Sequence, residues 1–538
     1  MTKRYAFPIL LSIAVLWIAW GVFPLVCYEG DSMHVIAGSE ILTRQGLHLP
    51  PDYSYMYDMQ PLVTLILVGL RHLLPTVTCE EAYCLLTALA GIFQIIATIF
   101  FVERLTTVSK PIILLAVILL PESYAIAMYP NTSIFACLAF TVGGLLLLYK
   151  KILEAAVLFC IAPFFRIDIL TVYPVIFFLL LRSYQLRPAV RLTLLTAIVV
   201  LCSILCGSLL YNYNLIGVIE MYLFYSGGFL FRDSIIANFL FYIVINILLL
   251  LIGMYRIVRC RQWLILATVL CPLVLVHSVF LKNGCASKHY LYLIPFIAIA
   301  NSIALEYFRR SFKSLSKNML LATLVLLAVV GVRWDKAKSP ADKNGHSLPA
   351  EQPYQQLATV ENFSIGIGGG QPIMTQDEVM LVSGHLFYPF IVHNIKDKLK
   401  ANRERVTNYL QTQQDYDILT FHWEEEMNVP QCFILQGYRF QTLSETEYVF
   451  SREQEKIRAH LLDLHIIEEE DFSEVLHRYA NPEKRLFIIA THSLVDYQLN
   501  KISQKEPFVQ KVMSNLYMVT RTATSANASN SLSPRLSP

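Results

Sequence analysis

Charge is what this sequence has least of. Only 15% of its 538 residues are Asp, Glu, Lys or Arg, while 55% are hydrophobic. An ordinary soluble domain carries about 25% charged residues, so a mean hydropathy of +0.50 places most of this chain in lipid. Cysteine offers no framework: of 11, only Cys432 lies beyond Cys285, which excludes a disulfide scaffold and a zinc spacing. Cys202 and Cys206 share a helix face and read as small packing residues. No group of carboxylates or histidines carries a metal pattern, and no internal repeat is found. "GIGGGQ" (366–371) lacks both the Lys-Ser/Thr ending and the dinucleotide spacing, and reads as a turn. The net charge of +3 divides into +8 over residues 1–332 and −5 over the remainder. The basic residues lie in short loops, which excludes nucleic acid and points to membrane lipids.

Apolar runs of spanning length cover about 8–27, 83–102, 110–128, 132–149, 191–213, 235–255, 262–281, 290–306 and 318–333. Two shorter runs, 152–165 and 168–181, flank "FFRID" and form either thin spans or a re-entrant pair. Counted as spans, they raise the total to about eleven. Lys3-Arg4, Arg104 with Lys110, Lys150-Lys151, Arg182 to Arg191, Arg256 to Arg261 and Arg309 to Lys317 then form one cytoplasmic series. That holds if "QPLVTLILVGLRHLLPT" (60–76) lies in the interface, as Arg71 and His72 within it suggest. The loop 28–82, "YPNTS" (129–133), the corner 166–168, the loop 214–234 and "KNGCASKHY" (282–290) consequently face outward.

Everything after about residue 333 is expected on that same external side. Residues 334–350 read as a linker, 351–520 as a small α/β or α+β domain, and 521–538 as a disordered tail. Within the domain "QPIMTQDEVMLVSG", "YDILTFHW" and "RLFIIATHS" read as strands. "IKDKLKANRERVTNYLQTQ" and "REQEKIRAHLLDL" read as amphipathic helices.

The external loops hold the candidate chemistry. Glu29 and Asp31 follow the first span, ahead of a stretch in which Met33, Ile36, Ala37, Ile41 and Leu42 share a helix face. Asp31 also suits the N-cap of that helix. Lys282, Lys288, His289, Arg232 and Arg166 stand at external span ends, where snorkelling also explains them. Asp168, two residues beyond Arg166, reads as the partner that orients it.

"GDSMHVIAGSEILTRQGLHLPPDYSY" followed by "YDMQPLVTLIL" resembles the first external loop of GT-C membrane glycosyltransferases. The likeness is to the branch of protein O-mannosyltransferases and aminoarabinose lipid A transferases. "RID" (166–168) and "KHYLYLIPFIA" (288–298) resemble two further motifs of that family. The resemblance covers 1–333 in layout and the first loop in detail. It implies a polytopic α-helical, GT-C-like catalytic module at 1–333 with the loop 28–82 at its surface. It also implies a polyprenyl-phosphate sugar donor, a lipid, glycan or protein acceptor, and inversion at the anomeric carbon.

In that scheme Asp31 is the general base, with Glu29 in reserve, because an acceptor hydroxyl must lose its proton in the transition state. Lys288, His289, Arg166, Arg232 and Lys282 are the cations for the departing phosphate, with Asp168 among the substrate-site residues. Met59-Gln60-Pro61 stands where relatives have Lys-Pro-Pro, so the family's phosphate-holding lysine is missing here. Some branches of the family use a divalent ion; none is assigned here. The expected location is a bacterial inner membrane with a periplasmic C-terminal domain, rather than the endoplasmic reticulum. The rivals are a transporter or lipid flippase, for which intramembrane Glu122 and Asn246 speak, and a non-catalytic scaffold of envelope assembly.

Overall fold

A computed structural model describes residues 2–26, 30–46, 61–120, 128, 130–211, 248–280, 291–311, 393, 396–397, 400, 404–422, 438–444, 447–452, 455–463, 471–480, 483–489, 493–513 and 516–520. These fall into two packed units. The first holds the described residues within Met1–Cys27, Ser54–Lys336 and Gln376–Lys396. The second holds those within Tyr28–Tyr53, Ala337–Thr375 and Asp397–Pro538. Glu29, Glu122, Asn246, the loop 214–234 with Arg232, and Lys282, Lys288 and His289 lie outside the described residues. So do the linker 334–350, "QPIMTQDEVMLVSG", "GIGGGQ" and the tail 521–538.

Apolar helices build the first unit: α1 (Thr2–Val22), then, after α2 (Gly30–Gln45) of the second unit, α3 (Pro61–Leu73) and α4 (Cys79–Leu105). They continue as α5 (Lys110–Ile118), α6 (Ser133–Leu148), α7 (Ile152–Phe165), a 3₁₀ turn (Ile167–Val172), α8 (Val175–Ser183) and α9 (Leu186–Tyr211). Helical residues 248–259 form α10. α11 (Trp263–Phe280), a 3₁₀ turn (Leu291–Leu293) and α12 (Ile294–Ser311) complete the set. Among the described residues, Cys79–Leu105, Leu186–Gly207 and Leu291–Ser311 are long and apolar enough to cross a bilayer, beside shorter apolar helices. The unit is an integral-membrane bundle.

The sequence places stops and starts locally. Glu81 and Thr78 form a reciprocal cap, Thr78 N donating to Glu81 Oε2 at 2.9 Å and Glu81 N to Thr78 Oγ1 at 3.1 Å. α3 buries Pro61, Val63, Thr64, Leu67 and Val68, while Leu73 at its end is exposed. Gly143 lets α6 meet α7, since an added Cβ would lie 2.8 Å from Phe159 Cε1. Phe140, Phe159 and Tyr173 fill that junction with ring centroids 5.5–5.8 Å apart.

Basic residues gather the helix ends. Arg104 lies over the Tyr149 ring at 5.0 Å, and Arg182 Nη2 donates to Leu105 O at 3.0 Å. The C-terminal ends of α4, α6 and α8 therefore share one end of the bundle. α7 leaves that end and α8 returns to it, so 152–165 and 168–181 act as an out-and-back pair. Arg256 similarly covers Tyr307 at 4.4 Å, joining the ends of α10 and α12.

The second unit is built on a seven-stranded sheet. Its strands are β1 (Tyr416–His422), β2 (Arg439–Ser444), β3 (Glu447–Arg452), β4 (Glu455–Asp463), β5 (Arg485–Ile489), β6 (Val509–Met513) and β7 (Leu516–Val519). The order is β2-β3-β4-β1-β5-β7-β6. β1 runs parallel to β4 and β5; the flanking pairs are antiparallel. Helical residues 404–411 form α13, whose Tyr409 meets Phe487 at 6.0 Å. Against Leu419, Leu462, Leu486 and Ile488 pack Phe472, Val475 and Leu476 of α14 (Phe472–Tyr479), and Val495 and Leu499 of α15 (Ser493–Lys505). α2 packs against β2 within this unit.

"YDILTFHW" and "RLFIIATHS" supply β1 and β5. "REQEKIRAHLLDL" does not form the expected helix: Glu455–Asp463 is β4, paired on both sides. Its helix-forming residue types yield to position, because the segment continues a hairpin from β3 and fills the slot beside β1.

Candidate active site

The corner after α7 concentrates polar groups at the bundle end opposite Arg104 and Arg182. Pro163 sits in the last turn of α7, and Arg166, at φ −165°, takes the chain into the 3₁₀ turn that carries Asp168. Arg166 Nε lies 2.8 Å from Asp168 Oδ2, and both residues are only 6% exposed. The Tyr292 hydroxyl, from the turn that opens α12, donates to Asp168 Oδ1 at 2.5 Å. Both carboxylate oxygens thus have charged or phenolic donors, the condition for holding an ionised acid away from water. Ser133, first in α6, places its hydroxyl beside Tyr292, and Asn131 Oδ1 accepts from Ile134 N at 3.0 Å, serving an N–H of that helix's first turn.

A second polar seam supports this corner from within the bundle. Gln94 Nε2 of α4 donates to Thr98 Oγ1 at 3.2 Å and to Thr141 Oγ1 at 3.0 Å. One helical turn before Thr141, Cys137 Sγ donates to Leu291 O at 3.3 Å. The Leu291–Leu293 turn, and with it the Tyr292 phenol, is tied to α6 through that bond. An ion pair closed by a third group is poor as a source of stability and good as a fixed geometry, because any displaced partner strands a buried charge.

Of the sequence candidates, the structure brings Arg166 and Asp168 together. Asp31 lies within the first turn of α2 instead of ahead of it, a favourable place for a carboxylate near the helix dipole's positive end; its side chain is outside those described. α2 groups with the second unit and is buried from Val35 through Leu42, with Glu40 held by Arg44 at 3.1 Å. Tyr292, Ser133 and Cys137 escaped the sequence reading. Tyr292 sits four residues after Lys288 in the same motif, where attention to charge passed over a phenol. No group of three or more His, Cys, Asp or Glu able to hold a metal occurs among the described residues.

No protein-family model matches the chain, and no curated protein does. Solved structures do. ArnT from Cupriavidus metallidurans in the apo state aligns over 96% of this chain and 98% of its own, at TM-score 0.58 and 11% identity. ArnT from the same organism bound to undecaprenyl phosphate aligns over 97% and 99%, at TM-score 0.59 and 10% identity. At such identities the likeness concerns fold: the chain has the GT-C fold that its first loop led us to expect.

Proposed function

We propose that the chain is an integral-membrane glycosyltransferase. It moves a sugar from a polyprenyl-phosphate donor to a hydroxyl of a lipid, glycan or protein acceptor on the external face, with inversion. The observation that carries this reading is the likeness over nearly the whole chain to ArnT, one of whose structures holds undecaprenyl phosphate. The buried Arg166–Asp168–Tyr292 cluster, at the bundle end opposite the basic series, supports it.

The chemistry runs by direct displacement. The acceptor oxygen attacks the anomeric carbon, the bond from that carbon to the phosphate oxygen breaks, and polyprenyl phosphate departs with the electron pair. Asp31 takes the acceptor's proton, with Glu29 in reserve, since an unassisted alcohol is a weak nucleophile near neutral pH. Charge growing on the phosphate is met by cations from Lys288, His289, Arg232, Lys282 and Arg166. Arg166 suits this role because Asp168 holds it in place, and a preorganised cation pays no reorganisation during the reaction. No metal ion has a part in the scheme. In this reading 1–333 carries the chemistry, across about eleven spans. The domain 351–520 stands in the periplasm of a bacterial inner membrane, beyond the linker 334–350.

The test is Asp31→Asn in lipid nanodiscs, assayed with polyprenyl-phosphate sugars and with undecaprenyl phosphate alone. Transfer should fall by about 10²-fold or more, while undecaprenyl phosphate binding stays at the wild-type level. Wild-type transfer by the variant, or labelling of a cysteine at position 31 from the cytoplasm only, overturns the assignment.

A further inference from the structure

A fully buried lysine sits far in sequence from all of these candidates. Lys396, at 0% exposure, belongs to the first unit although the bundle's described helices end at Ser311. Its ammonium donates to Val22 O at 3.0 Å and to Met128 O. Val22 ends α1, where carbonyls lack helical partners and the dipole is negative. Met128 stands just ahead of α6. One cation therefore ties the exit of α1 to the entry of α6.

Neighbouring contacts close the same junction. His393, three residues earlier, bonds through Nδ1 to Phe23 O at 2.5 Å and sets its ring 4.9 Å from Trp20. Gly21 admits the Met128 side chain, since an added Cβ would stand 3.0 Å from Met128 Cγ and closer still to its Sδ. Val22 and Met128 are 2% and 1% exposed, so water does not compete for the carbonyls that Lys396 serves.

Resting on the glycosyltransferase reading above, we propose that Lys396 is a positioning residue for transfer. The chain entering α6 carries Ser133, beside Tyr292 and, through it, Asp168. Clamping the exit of α1 to the entry of α6 fixes the first turn of α6, and with it the Tyr292–Asp168 bond that holds Arg166 in place. A displacement near 1 Å in reacting geometry is worth about 10²-fold in rate, so a remote clamp can govern turnover without touching substrate.

The experiment uses the full chain in nanodiscs with Lys396→Met, which removes the donors, and Lys396→Gln, which keeps N–H donors without the charge. Exposed Lys400→Met is the control. Lys396→Met should lower kcat about 10²-fold with donor KM unchanged, and speed amide exchange at both 20–26 and 130–136. Lys396→Gln should recover part of both effects, and Lys400→Met should match wild type. Unchanged kcat, a rise confined to KM, or unchanged exchange overturns the proposal. If Lys396→Met fails to fold, Lys396→Gln is judged by the same criteria. A wild-type chain that neither binds undecaprenyl phosphate nor transfers sugar sinks the glycosyltransferase reading and the positioning role with it. Failure of the clamp alone is recognised by equal, active transfer in wild type and variant.

Discussion

The two ends of α12 carry the same chemistry in opposite surroundings. At one end Asp168 meets Arg166 and Tyr292, with side chains of the ion pair 2% and 8% exposed. At the other, Glu306 accepts from Arg309 at 2.7 and 2.8 Å and from Arg310 at 2.6 Å, but those arginines are 54% and 65% exposed. Water reaches both arginines on Glu306, although the acid's own side chain is only 10% exposed. Water cannot easily replace Arg166 on Asp168. Close geometry thus means fixation at the first end and little more than local helix support at the second.

Breaking the dry end should have the largest effect. Arg166→Met removes the buried guanidinium from Asp168 and should lower stability by about 3–5 kcal/mol, read as the unfolding midpoint in nanodiscs. Adding Asp168→Leu to Arg166→Met should restore much of the loss, since removal of both charges leaves none stranded. A double variant no better than the single would erase the distinction between the two ends. Tyr292→Phe removes one bond to a charged acceptor and should cost about 1.5–3 kcal/mol; in a transfer assay it should also lower kcat.

A titratable group in the second unit extends the comparison. His460 Nδ1 lies 3.3 Å from Glu447 Oε1, yet burial, outweighing Glu447 and Asp417, holds its pKa below the ordinary 6.5. The folded state therefore favours the neutral ring. The stability it contributes is complete above pH 6.5 and is lost as pH falls from there toward the depressed folded value. His460→Gln should flatten that part of the stability profile, measured by denaturation between pH 7 and pH 5. The wet end should respond least: Glu306→Gln is expected to shift stability by no more than about 1 kcal/mol, and less at high salt.

Much of the bundle was legible because its signals are local. Apolar runs ending in Arg104, Lys150, Arg182 and Arg309 become helices whose ends meet, and "RID" becomes a corner closed on itself. The first loop was legible as a resemblance, and the fold agrees with it. Other features depend on contacts that no window of sequence displays. Lys396 serves a carbonyl 374 positions away, and a lysine in a polar segment looks like surface until both ends are seen. Tyr292 finds Asp168 across 124 positions, and its phenol carries no charge to advertise it. β4 was misread because Glu, Lys, Arg and Leu favour a helix in isolation, whereas a vacancy between β3 and β1 selects an extended chain.

The shortness of α7 bears on the membrane itself. Its 14 residues reach about 21 Å, well short of a hydrocarbon layer about 30 Å thick. With Lys151 at one surface, the Arg166 corner arrives before the opposite surface does. Protein rather than lipid surrounds that corner, since Arg166 and Asp168 are each 6% exposed, so the bundle itself supplies the polar partners that a chain turning within hydrocarbon depth requires.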